Sequence, residues 1–292
     1  MLECNLCEAK SQRSRYHLDQ LEILQCTNCG LIFTNLVEKP DEIAKDYSRN
    51  YFKERDEYYF RNPVEDPLRG VEDSNILDFK QWLKKIESYK PAGKILDVGC
   101  ATGVFLALAK ERGWEPYGVD ISGFAVGHAR KRFGIEGFVG NITAAKFPDN
   151  YFDVITLLDV IEHFSNPVEQ LIEVRRILKH DGIVLLNTPN EKSFMKILAH
   201  GIYAITLGRI QYPVRKLYHR YHLYYFSPKT FQQTLEKSGF EVIELTKKTI
   251  PLVKARGLRV EKIMVKGLSF FEKIFHCEYE LISIARKREK KW

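Results

Sequence analysis

Two hydrophobic periods run along this chain. From Ser74 to Tyr89 the apolar residues Ile76, Leu77, Phe79, Trp82, Leu83 and Ile86 recur at helical spacing, and Pro91 and Gly93 end the segment. Beyond it, short apolar runs rich in β-branched residues predict strands at 94–98, 116–120, 136–139, 152–158 and 182–188. Amphipathic segments at about 103–112, 122–133 and 166–178 read as the helices between them. Such alternation predicts an α/β fold with a parallel sheet covered on both faces. An irregular aromatic and basic stretch follows at 190–226, then a helix at 228–238, a strand at 240–246 and a last strand at 277–286. Before the helix at 74–89, the Tyr-rich stretch from Glu38 to about Glu72 is too aromatic for a solvated linker and is expected to form helices covering the next domain. The domain plan is therefore a segment at 1–37, a connector at 38–90 and a main domain at 91–292 with a substrate lid at 190–226 and a helical insertion at 248–276.

The 292 residues, 45% hydrophobic and 12% aromatic, suffice for a sizeable core. The start, MLECNLCEAK, lacks the basic-then-apolar pattern of a secretory signal. The longest apolar run, Ile197 to Leu207, is interrupted by His200 and is too short for a transmembrane segment. These features predict a soluble, cytoplasmic chain. Its net charge of +7 is uneven, because residues 1–90 hold 14 basic against 17 acidic residues. The excess cations lie further on and suit RNA, an anionic surface or a phosphorylated substrate, unless they are simply solvated.

Four of the six cysteines fall in Cys4-Asn-Leu-Cys7 and Cys26-Thr-Asn-Cys29. Two such knuckles at this separation match a zinc ribbon, in which four thiolates close the coordination shell and leave no position for water, so the zinc is structural. Paired disulfides are the competing reading, which the predicted compartment disfavours; an iron site is the lesser alternative. Gly30 suits the turn after the second knuckle, and Cys100 and Cys277 read as unpaired structural residues.

The stretch Lys94-Ile-Leu-Asp-Val-Gly-Cys-Ala-Thr-Gly103 is a strand running into a glycine-rich turn with Asp97 at the junction. In open α/β sheets ligands bind beyond the carboxyl ends of such strands. Asp97 would repel a pyrophosphate and attract an ammonium. Asp120, which ends the next strand, is placed to accept the hydroxyls of a ribose. Together they suit S-adenosylmethionine (SAM), which carries an ammonium, a sulfonium and a ribose but no phosphate.

These residues resemble the class I, Rossmann-like, SAM-dependent methyltransferases over roughly 74–287. Five motifs carry the resemblance, in order: DVGCATG, GVDIS, GNITAAKFPDNYFDVI, LLDVIEHFSNP and LLNTPN. The later stretch HLYYFSPKTFQQTLEKSGFEVIEL is similar to the branch that includes ubiquinone-type O-methyltransferases and many sugar or small-molecule methyltransferases. The resemblance implies cofactor contacts from Asp97, Gly99, Cys100, Ala101, Gly103, Asp120, Ile121, Asn141, Ile142 and Leu158. Two positions depart from the family pattern. Ala101 stands where a glycine is usual, and Asn141 where an acid often meets the adenine amine, which its side-chain carbonyl is expected to accept instead.

Methyl transfer is an in-line displacement, so positioning supplies much of the catalysis, and a base is needed only where the acceptor must lose a proton. Asp159, Glu162 and His163 follow the fourth strand and share a face if the chain turns helical there. Either His163 is a general base, or the three hold a divalent metal, as the ubiquinone-type resemblance suggests, or Glu162 and His163 only brace the cofactor pocket. The stretch 190–226 lies where the family places substrate recognition. Tyr212, Arg215, Tyr221 and His222 are its substrate-binding candidates, with His219 a further polar group; the duller reading is a lid packed on its own aromatics with its charges in water. The amphipathic stretch 258–275 is expected to dock onto the core rather than contact a membrane or partner.

The expected activity is methyl transfer to a small-molecule or glycan-precursor acceptor, including a nucleotide- or lipid-linked sugar; a zinc-binding segment ahead of this domain is also similar to sugar C-methyltransferases. An RNA methyltransferase is the first alternative, disfavoured because LLDVIEH lacks the Asn/Asp-Pro-Pro-aromatic signature of amino-group base methylation and residues 1–37 carry only Lys10, Arg13 and Arg15 as cations. A catalytically silent SAM-binding module is the second.

Overall fold

A computed structural model describes residues 2–18, 21–35, 74–218, 221–249 and 259–289. The Tyr-rich stretch 38–72 of the predicted connector, His219 and residues 250–258 of the predicted helical insertion lie outside these residues. The chain divides into two compact units, one made of 1–37, 159–169 and 187–283, the other of 38–158, 170–186 and 284–292.

The second of these units carries the glycine-rich turn. Helix α1 (Ser74–Glu87) precedes β4 (Lys94–Val98), and the chain then alternates through α2 (Val104–Glu111), β5 (Glu115–Asp120), α3 (Gly123–Phe133), β6 (Glu136–Val139) and β7 (Phe152–Leu158). β4 pairs in parallel with β5 on one side and β7 on the other. That makes β4 the strand at which the order reverses, so its carboxyl end opens the crevice such sheets use for ligands. Ile95, Leu96 and Val98 are all buried, as expected for a strand covered on both faces. Trp82, Leu83, Ile86, Val154 and Leu185 pack in one core with Ile95 and with the apolar face of α2. Gly103, at φ +85°, permits the close approach of α2 and α3, because a Cβ there would lie 2.7 Å from the Ala129 Cβ.

The predicted strands fall where the periodicity placed them. They continue with β8 (Leu178–Pro189), β10 (Phe240–Lys248) and β11 (Glu280–Lys287), giving a mostly parallel seven-stranded sheet in the order β10-β11-β8-β7-β4-β5-β6 with an antiparallel edge strand. α4 (Pro167–Ile177) precedes β8, and α7 (Pro228–Lys237) opens on a capping box of Ser227 and Thr230.

The first unit holds a second, four-stranded sheet. β1 (Gln12–Leu18), β2 (Leu21–Cys26) and β3 (Ile32–Thr34) are antiparallel, and β3 also pairs with β9 (Tyr224–Tyr225) through Ile32 opposite Tyr225 and Phe33 opposite Tyr224. Tyr16, Ile23, Ile32, Val214, Tyr218 and Tyr225 form its core. The stretch 190–226 is therefore not irregular. It contains α5 (Phe194–Ile205) and α6 (Tyr212–Leu217) besides β9, and its tyrosines 218, 224 and 225 are buried, in keeping with a segment packed on its own aromatics. The last helix, α8, spans Arg259–Ile274. No helix among the described residues is long and apolar enough to cross a membrane.

Candidate functional site

Beyond β4 the backbone takes left-handed conformations at every second residue: Gly99 at φ 76°, Ala101 at 48° and Gly103 at 85°. This explains the glycine usual at position 101, since an L-residue in that region costs about 1–2 kcal/mol. Two carboxylates flank the turn. Asp97, only 3% exposed, accepts a hydrogen bond from Thr156 Oγ1 at 2.6 Å, which fixes its orientation at the end of β4. Asp120 accepts from the backbone N–H of Ala101 at 2.9 Å and of Ser122 at 2.8 Å, so it braces the turn at the end of β5. The donor set, one carboxylate for a cation and one for paired hydroxyls, fits the ammonium and ribose of SAM. Cys100 is buried and its thiol is pushed up by burial, then by Asp120 and Asp97, so it offers bulk rather than charge. The Asn141 side-chain oxygen accepts from Thr143 Oγ1 and from the Ala144 backbone N–H, so both its lone-pair directions serve its own turn. Ile142 is buried beside it, while Leu158, which ends β7, and Ile121, which follows Asp120, are partly exposed.

The next residue after Leu158 begins the other unit. Asp159 sits at φ 54° and is held there by Asn187, whose side-chain oxygen accepts the Asp159 backbone N–H at 2.9 Å and whose amide donates to Asp159 Oδ1 at 3.1 Å. A short 3-10 turn follows at Ile161–His163. Glu162 is 1% exposed; its Oε2 accepts from Thr188 Oγ1 at 2.9 Å, whereas its Oε1 is buried without a hydrogen-bond partner among the described residues. Burial, then the neighbouring Asp159, pushes the Glu162 carboxyl up to about 8, so it is protonated at neutral pH. His163 Nδ1 lies 2.6 Å from the Tyr221 carbonyl oxygen. Only a protonated Nδ1 makes that bond, and burial holds the imidazole below its ordinary value, so the ring is neutral with its lone pair on Nε2. His222 meets His163 edge to face at a centroid distance of 4.7 Å.

The ligand atoms of Glu162, His163 and His222 lie within 4.8 Å of one another. The trio expected from sequence was Asp159, Glu162 and His163; here Asp159 is bound up with Asn187 and His222 joins instead. Tyr221 and His222 stand beside His163, while Tyr212 and Arg215 lie exposed on α6, with Arg215 hydrogen-bonded to Gln211. Sequence reasoning missed Thr156, Asn187 and Thr188, which orient the three acids. It also missed a buried cluster around Glu191, which receives Lys196 Nζ at 2.7 Å, Tyr218 Oη at 2.5 Å and Arg15 at 3.4 Å.

The four knuckle cysteines form a separate centre. Their sulfurs all lie within 4.8 Å, with Cys4 to Cys29 at 3.6 Å and Cys7 to Cys26 at 3.5 Å. A tetrahedral ion with bonds of about 2.3 Å requires sulfur separations near 3.8 Å, so the set fits zinc. Gly30, at φ 83°, supplies the turn expected after the second knuckle.

A family model described as a methyltransferase domain matches residues 73–245. The chain belongs to the class I SAM-dependent methyltransferase family. A ubiquinone biosynthesis O-methyltransferase of Actinobacillus pleuropneumoniae is 29% identical over 128 residues, 39% of this chain and 54% of that protein, so the match spans about half the length of that relative. Another of the same description, from Saccharophagus degradans, is 26% identical over 193 residues, 62% of this chain and 78% of that protein. The crystal structure of a SAM-dependent methyltransferase from Archaeoglobus fulgidus superposes with a TM-score of 0.55 at 20% identity over 81% of this chain and 99% of that one, a likeness of fold. In this methyltransferase the family motifs coincide with the β4 turn, the β5 carboxylate and the end of β7.

Proposed function

We propose that this methyltransferase moves the methyl group of SAM onto a hydroxyl of a small-molecule or glycan-precursor acceptor, a nucleotide- or lipid-linked sugar included. SAM, when bound, supplies a methyl group activated by its sulfonium. Asp97 receives the ammonium and Asp120 the ribose hydroxyls. The observation that carries the acceptor side is the bond between His163 Nδ1 and the Tyr221 carbonyl, which leaves Nε2 ready to take the hydroxyl proton. Neutral Glu162, anchored by Thr188, adds a polar wall without a charge that would trap the imidazolium. Support for the acceptor class comes from the relatives named ubiquinone biosynthesis O-methyltransferases and from the sequence resemblance noted above between the zinc-binding N-terminal segment and that of sugar C-methyltransferases. Structural zinc on Cys4, Cys7, Cys26 and Cys29 belongs to the same reading.

The test is uptake of radiolabelled methyl groups from SAM across sugar nucleotides, lipid-linked sugars, phenolic small molecules and RNA, with the protein and its His163→Gln variant. Uptake by a hydroxylated small molecule, lost in the variant while SAM still binds, is the expected result. Uptake by RNA alone, or SAM binding with no uptake by any acceptor, contradicts it.

One observation favours a second reading. Glu162 Oε1, without a partner among the described residues, stands beside His163 and His222 in a two-histidine, one-carboxylate set that suits a divalent cation. In that case activity falls on chelation and returns with manganese or magnesium while the cysteine-bound zinc is still in place.

A further inference from the structure

The stretch after Glu191 exposes apolar side chains at positions a water-soluble surface would avoid. On α5, Ile197, Leu198 and Ile205 are exposed at helical spacing, and the following turn adds Leu207 and Ile210. Ile205 is 86% exposed and Leu207 88%, so neither packs on anything in its own unit. At the other end of α5, Phe194 stacks on Phe271 at 5.7 Å and on Phe275 at 6.1 Å. This extends the same face to the end of α8, where Phe270, Phe271, Ile274 and Phe275 are exposed. The end of α8 thus packs on Phe194 while leaving much of its apolar side exposed; the side chains of 258–266, the rest of the stretch expected to dock, lie outside the described residues.

Among the described residues of α5, α6 and the turn between them, the exposed charges have one sign. Lys192, Arg209, Arg215 and Lys216 are exposed, and no acid occurs between residues 192 and 218. Glu191 is buried with Lys196, and on α8 Glu272 is buried while Lys273 is exposed. Exposed apolar groups rimmed only by cations are the pattern that enters the acyl boundary while the cations meet phosphates. A second copy of this chain is a poor occupant, since a self-complementary interface would set Arg209, Arg215 and Lys216 against their equivalents.

We propose that the face formed by α5, the turn at 206–210 and the end of α8 seats this protein on an anionic lipid surface. Ile205 and Leu207 are the inserting residues, and Arg209, Arg215 and Lys216 hold the phosphate level. The proposal stands on these exposures and charges alone and is independent of which acceptor is methylated.

The experiment is co-sedimentation of the full chain with vesicles of phosphatidylglycerol and with vesicles of phosphatidylcholine, at low and high salt. Binding to phosphatidylglycerol that weakens with salt is expected. Replacing both apolar tips, Ile205→Ser with Leu207→Ser, should lower the partition coefficient by about tenfold or more. Arg209→Gln with Lys216→Gln should lower it roughly fivefold per charge on phosphatidylglycerol and leave phosphatidylcholine unaffected. All four side chains are exposed, so the variants should melt with the parent protein. Absence of vesicle binding at low salt, or undiminished binding by the double serine variant, overturns the proposal. So does a concentration-dependent dimer that these serines abolish, which would make the face a contact between copies.

Discussion

Asp159 and Asn187 hold each other through two hydrogen bonds, backbone N–H to amide oxygen and amide N–H to carboxylate, at a residue whose φ of 54° is unfavourable for aspartate. The strain is concentrated where β7 gives way to the 3-10 turn carrying Glu162 and His163, the kind of position at which backbone strain accompanies function. Asn187 is fully buried. Asn187→Ala should cost about 1–3 kcal/mol in urea unfolding, since it removes two side-chain hydrogen bonds, while the exposed Asp159 carboxylate can turn to water. It should lower methyl transfer by more than it lowers SAM affinity. Equal losses in both would place Asn187 in general stability alone.

Ala101 makes the opposite case, a residue poorly matched to its backbone. Ala101→Gly relieves a left-handed alanine but frees the unfolded chain, for a net gain of roughly 0.5–1 kcal/mol. The backbone N–H that donates to Asp120 is retained, so SAM affinity should hold or rise. A stability loss on chemical denaturation would show that the methyl group packs usefully.

The Glu162 carboxyl ties stability to pH. Its folded value, about 8, stands above its ordinary 4.5, so the folded chain keeps a proton that the unfolded chain has already released between those limits. Its contribution is therefore complete below pH 4.5 and is lost as pH rises through 8. Glu162→Gln should flatten the fall in melting temperature across that interval, and an unchanged profile would assign the pH dependence elsewhere.

The cysteine centre should be coupled to the segment that carries His222. Phe33, on the strand that follows the second knuckle, pairs with Tyr224, and the Tyr224 hydroxyl accepts from Asn5 inside the first knuckle and donates to the Ser165 carbonyl. The expected preparation holds one zinc per chain by elemental analysis. Cys7→Ser or stripping by a strong chelator should lower the melting temperature and increase amide exchange at both β1–β3 and β9. Protection lost in β1–β3 alone would break the proposed coupling.

The strands from β4 to β7 were readable because each is a short apolar run bounded by glycine, proline or an acid, and parallel burial leaves little choice of period. The two acids of the donor turn were readable for the same reason, being the polar residues that end such runs. α5 was not, because FMKILAHGIYAI is apolar nearly all round, includes Gly201, and shows no side-chain cap at Ser193. The approach of His222 to His163 was not readable either: it depends on β9, a two-residue strand whose partner is β3, near the start of the chain. Lys196 belongs to the stretch 190–226, whose charges the duller reading leaves in water, yet it is 2% exposed against Glu191, a burial that only tertiary structure shows.

The central claim, that the β4 turn and its two carboxylates hold SAM, is tested most directly by calorimetric titration of the purified chain with SAM and S-adenosylhomocysteine, alongside Asp97→Ala and Asp120→Ala. Saturable one-to-one binding of both ligands is expected, with the loss in Asp97→Ala falling on the ammonium and that in Asp120→Ala on the ribose, so that each variant binds at least tenfold more weakly. Absence of binding by the folded, zinc-loaded parent protein, or binding undiminished in both variants, would contradict it.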